Sequence, residues 1–134
     1  MNKLKSNLFV KREWGSEIIW ALTDNYMAKT VELAPSSRSN LIFHQEREKS
    51  IIVVKGPLFL VYGPLASDTL TKTYKLSEGW SWYIEPGHVY RYIAIDDPVL
   101  LIEVSSPELD DGHILVDEGS LEITEADFIE PPIR

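Results

Sequence analysis

Nine short runs rich in β-branched and aromatic residues follow one another along the chain, at 17–22, 26–33, 40–44, 50–55, 57–63, 71–76, 80–85, 89–95 and 99–105. Nothing between them matches a long helical period. The connectors carry turn and breaker residues: Asp24-Asn25, Pro35-Ser36-Ser37, Gly56-Pro57, Gly63-Pro64, Gly79, Pro86-Gly87 and Asp96-Asp97-Pro98. Nine strands in one open sheet would leave edges and an apolar face exposed, so the pattern predicts an all-β sandwich or closed barrel. After Ser105 the pattern weakens. Ile114 to Val116 could add a strand, and the stretch 120–132 is expected to hold a short helical turn that Pro131-Pro132 stops.

A chain of 134 residues, 44% of them hydrophobic, is one domain's worth and can bury a core without crosslinks. There is no cysteine, which excludes disulfides, thiolate metal sites and cysteine nucleophiles. The net charge of -8 is unevenly placed. Residues 1–107 hold twelve acids and twelve bases, whereas 108–134 hold nine acids and Arg134 alone. The expected organisation is a barrel over 1–111 followed by an acidic tail over 112–134 that packs on it or extends from it. Phosphate binding needs a basic face, so nucleic acid is not an expected partner. The patch Leu8-Phe9-Val10 is too short for a signal-peptide core, and no window reaches the length of a membrane span. The expectation is a cytoplasmic protein without a membrane partner.

Two segments carry a more specific signal. The first runs Ile42-Phe43-His44, four residues, Lys49, six residues, Gly56; the second runs Gly79, five residues, Glu85-Pro86-Gly87, His88-Val89, Tyr90. In order and spacing they resemble the two signature motifs of the cupin superfamily. There, His-x-His and Glu lie in the first motif, and Pro-x-Gly and a last His in the second. The flanks 14–33 and 100–111 are similar to those of small cupins related to mannose-6-phosphate isomerase, the type II phosphomannose isomerase. The resemblance implies a single-domain cupin jelly-roll barrel, a double-stranded β-helix, and a homodimer.

It also implies a metal site, which the residues here do not supply. The family holds a divalent metal with Gln or His, His, Glu and His; the corresponding positions are Ile42, His44, Lys49 and Tyr90. Only His44 is an ordinary ligand. An aliphatic group donates nothing, an ammonium repels the cation, and a phenol is a poor ligand at neutral pH. Glu48 by register slip and His88 by folding inward are the two candidates that could rebuild the site. The expectation is no metal and no other cofactor.

Strand alternation puts Ile42 and His44 on one face, and Tyr90 and Tyr92 on one face with Arg91 opposite. If the cupin frame holds, His44, Lys49 and Tyr90 converge in the barrel, with Tyr92 beside them. Trp82 joins them as a candidate platform for a sugar ring. Two functions follow. One is a metal-free cupin that binds a small polar ligand, such as a sugar or sugar phosphate, without strong catalysis. The other is a carbohydrate isomerase or epimerase in which His44, Lys49 and Tyr90, or a rearranged metal, move protons beside a carbonyl.

Overall fold

The computed structural model describes residues 7–66, 70–107, 112–116 and 119–120. Thirteen strands are described: β1 (Leu8–Arg12), β2 (Gly15–Leu22), β3 (Met27–Leu33), β4 (Ser37–Arg38), β5 (Leu41–His44), β6 (Lys49–Lys55), β7 (Leu58–Pro64), β8 (Lys72–Leu76), β9 (Ser81–Ile84), β10 (His88–Ala94), β11 (Val99–Ser105), β12 (Gly112–Val116) and β13 (Gly119–Ser120). All nine expected runs are strands, with ends displaced by a residue or two. The weak signal at Ile114 to Val116 is β12, whose backbone pairs with β5. The helical turn expected over 120–132 lies outside the described residues apart from Ser120, which is in β13. Among the described residues no helix is long and apolar enough to cross a membrane.

The strands form two antiparallel sheets. One has the order β1-β2-β3-β11-β6-β9; the other runs β12-β5-β10-β4-β13, with β7 on the free edge of β10 and β8 beyond it. Strand β10 is the hub of the second sheet. It pairs with β7 over His88 to Ile93, with β5 at Tyr90↔Ile42 and with β4 at Ile93 and Ala94. Flanked on both edges, it is buried from Val89 to Ala94.

The inner face of the first sheet changes character along its strands, and this places the cavity. On β11 the inward residues are Val99, Leu101, Glu103 and Ser105; Leu101 lies beside Val31 and Val53, whereas Glu103 lies beside Lys29 and Ile51. One end of the interior is therefore aliphatic, with Leu33, Val53, Leu58, Leu60, Leu76 and Leu101 fully buried. The other end carries buried charge. Apolar burial drives closure of the first end, while the second is left to polar groups that must satisfy one another.

A tight turn fixes how β10 enters. Pro86 and Gly87 occupy its centre, Gly87 has φ 76°, and the His88 N–H donates to the Glu85 carbonyl at 3.3 Å. That is a type II turn, which needs a residue tolerant of positive φ at its third position. The Gly87 N–H also donates to the His44 carbonyl at 2.7 Å, tying the turn to the end of β5. The turn therefore sets the relation between His44 and Tyr90.

Candidate functional site

The charged end of the interior opens into a cavity of about 510 Å³. Strand alternation delivers its groups: Glu17 from β2, Lys29 from β3, His44 from β5, Lys49 from β6, Tyr90 and Tyr92 from β10, and Glu103 from β11. His44, Lys49, Tyr90, Tyr92 and Glu103 are all buried.

Lys49 and Glu103 form the centre. Lys49 Nζ donates to Glu103 Oε1 at 2.7 Å and to the Tyr90 hydroxyl at 2.7 Å. The same Tyr90 oxygen is 2.9 Å from His44 Nε2, and the Tyr92 hydroxyl donates to Glu103 Oε2 at 2.7 Å. Lys49 Nζ also stands 4.7 Å from the centre of the Tyr90 ring. From Glu103 the charges continue outward with alternating sign. Lys29 Nζ lies 3.8 Å from Glu103 Oε1 and 2.5 Å from Glu17 Oε1, and Arg12 Nε is 2.7 Å from Glu17 Oε2. Arg12, with 44% of its side chain exposed, brings the row to solvent. Buried ions persist only when paired and hydrogen-bonded, and this row meets both conditions.

The electrostatics follow from that arrangement. Burial pushes the Glu103 carboxyl upward, but Lys29, Lys49 and the hydrogen bonds from Lys49 and Tyr92 outweigh it and bring the group down from 4.5 to about 2. Glu103 is thus a carboxylate at neutral pH. Burial first, and the negative charge of Glu103 second, hold the Tyr90 phenol above its ordinary value, and the same two causes raise Tyr92. Both remain neutral phenols.

The structure therefore brings together His44, Lys49, Tyr90 and Tyr92, four of the five ligand-binding residues expected from sequence. Trp82 it places elsewhere. Its ring packs against Tyr62 at 5.5 Å and Tyr74 at 4.9 Å, outside the cavity lining. Ile42 lines the cavity beside Tyr90, as their direct pairing requires. Arg91 projects from the opposite face of β10 and donates to the Ser39 carbonyl at 2.8 Å.

The donor set does not fit a divalent metal. Of the four corresponding positions, Ile42 has no donor, Tyr90 is a neutral phenol, and Lys49 contributes a nitrogen already bound to Tyr90 and Glu103. Neither candidate for rebuilding the site reaches it. Glu48 is exposed, with its N–H held by the Ser106 hydroxyl; His88 Nε2 lies 3.2 Å from Glu85 Oε2 and its ring stacks on Tyr62. Among the described residues no three His, Cys, Asp or Glu side chains converge as a metal would require.

The two antiparallel sheets and their strand order define a cupin fold. The chain superposes on the capsular polysaccharide assembling protein CapF from Staphylococcus aureus with a TM-score of 0.73 and 17% identity, over 82% of this chain and 34% of that one. Oxalate decarboxylase from Bacillus subtilis gives a TM-score of 0.71 at 12% identity, over 85% of this chain and 31% of that one. The chain thus spans about a third of the length of these proteins. No protein-family model matches the sequence, and no curated protein matches it either.

The sequence motifs pointed to one side of the cavity and missed the other. Glu17, Lys29, Arg47 and Glu103 also line it. A signal for Glu103 was present: in Val99-Leu100-Leu101-Ile102-Glu103, alternation puts the acid on the same face as Val99 and Leu101, hence inside. An inward acid in an aliphatic strand demands a buried cation.

Proposed function

We propose that this chain is a metal-free cupin that binds a small polar molecule, such as a sugar or sugar phosphate, in the barrel cavity without strong catalysis. The observation that supports this best is the Lys49 ammonium, held 2.7 Å from both Tyr90 and Glu103 at the position where the resembling family has a metal-binding Glu. A fixed cation there supplies positive charge to the cavity and opposes a divalent ion. Elemental analysis, before and after exposure to zinc, manganese, iron or nickel, is expected to find far less than one metal per chain. One tightly bound metal per chain would overturn the reading.

The continuous hydrogen bonds from His44 through Tyr90 to Lys49 favour a second reading. This is a carbohydrate isomerase or epimerase related to mannose-6-phosphate isomerase. Tyr90, kept neutral, would give a proton to a sugar oxygen, and His44 would take one from carbon. In a panel of aldose and ketose phosphates, Tyr90→Phe and His44→Ala are each expected to lower any turnover by about 10²-fold or more. Turnover unchanged in both variants removes these roles.

A further inference from the structure

The lining of the cavity is both cationic and graded in polarity. Among the described residues that line it, Arg12, Lys29, Arg47 and Lys49 stand against two carboxylates, Glu17 and Glu103. The balance is positive, in a chain whose net charge is -8. The depth of each group adds the second observation. Lys49, Glu103, Tyr90 and Tyr92 are at most 5% exposed, whereas the aliphatic lining residues Val10, Ile19 and Ile42 are half-buried on β1, β2 and β5. Val10 is the cross-strand neighbour of Glu17, and Ile19 that of Lys29. Hydrogen-bonded polar groups therefore form the floor, the row of paired charges climbs one side to Arg12, and aliphatic carbon from Val10, Ile19 and Ile42 lines the cavity beside it.

We infer that the ligand is a small organic anion, one acidic group attached to an apolar body, which enters acid first. This rests on the metal-free reading above and narrows its ligand. The acidic group reaches the buried cations Arg47 and Lys49 and accepts from their N–H groups. Charge-assisted hydrogen bonds in a desolvated cavity are the strong ones. The body of the ligand covers Val10, Ile19 and Ile42, where a hydroxyl-rich sugar ring would lose hydration without replacement hydrogen bonds. A volume of about 510 Å³ lies in the range of small-molecule sites.

Calorimetric titration of the full chain with benzoate, benzamide, inorganic phosphate, glucose and glucose 6-phosphate tests this. Benzoate is expected to bind at least about tenfold more tightly than its uncharged isostere benzamide, the size of one charge-assisted hydrogen bond. It is also expected to exceed both inorganic phosphate and glucose 6-phosphate. Arg47→Gln is expected to weaken benzoate by about tenfold, and Ile19→Thr to weaken benzoate while leaving inorganic phosphate unchanged. The benzoate and benzamide comparison uses only the unaltered protein, so a poorly folding variant does not decide the matter. Equal affinity for benzoate and benzamide, or no benzoate binding at millimolar concentration, overturns the inference. Glucose 6-phosphate binding more tightly than benzoate overturns it too, yet leaves the metal-free sugar-binding cupin standing; a metal bound in the cavity removes that reading itself.

Discussion

Glu103→Leu is expected to lower the free energy of unfolding by about 3–5 kcal/mol, the usual cost of removing one partner from a buried ion pair. Glu103 accepts from Lys49 at one oxygen and from Tyr92 at the other, and Lys29 stands 3.8 Å away. Without the carboxylate, Lys49 retains its bond to Tyr90 but faces Lys29 across a desolvated space. The double variant Lys49→Met/Glu103→Leu tests whether the loss comes from the orphaned charge. Replacing both partners by apolar groups of similar volume is often neutral or stabilising, so the double variant is expected to recover most of the stability lost by the single one. Urea denaturation of the wild type, both single variants and the double variant gives the coupling directly. Losses that simply add would mean that Lys49 and Glu103 do not act as a pair.

Why the fold was legible in the sequence while the site was only half legible is a matter of range. Strands declare themselves over five to eight residues, through alternation and turn residues, and the Pro86-Gly87 turn marks the start of β10 without reference to anything distant. The cupin spacing added long-range order, since it placed His44, Lys49 and Tyr90 at one end of the same barrel. Glu103 and Lys29 carried no motif. They are recognisable only when β11 is laid against β3, which puts them side by side. Trp82 illustrates the opposite error. Alternation assigns Trp82 a face of its strand, but it does not say how far along the barrel a residue lies. Trp82 pairs with Ile51, two residues toward the apolar end from Lys49, and packs there with Tyr62 and Tyr74.

The same row of charges makes stability fall on both sides of neutrality. The folded Glu103 carboxyl titrates at about 2 against an ordinary 4.5. The folded state therefore holds fewer protons than the unfolded chain between those two values, and its stability drops as pH falls through that window. The full contribution is present above about 4.5 and is lost by about 2. At about 1.4 kcal/mol per pH unit, Glu103 alone accounts for a loss of about 3 kcal/mol. On the alkaline side the sign is reversed. Tyr90 and Tyr92 have folded values raised above 10.0, so the unfolded chain ionises first and stability declines as pH rises beyond that point. Urea denaturation at pH 7, 5 and 3 is expected to show a steep acid limb in the wild type. In Lys49→Met/Glu103→Leu, which has no buried carboxyl at 103, that limb is expected to be shallower by about 2 kcal/mol between pH 5 and pH 3. Identical acid limbs in the two proteins would place the acid sensitivity elsewhere, and Glu103 would no longer be the charge on which the cavity depends.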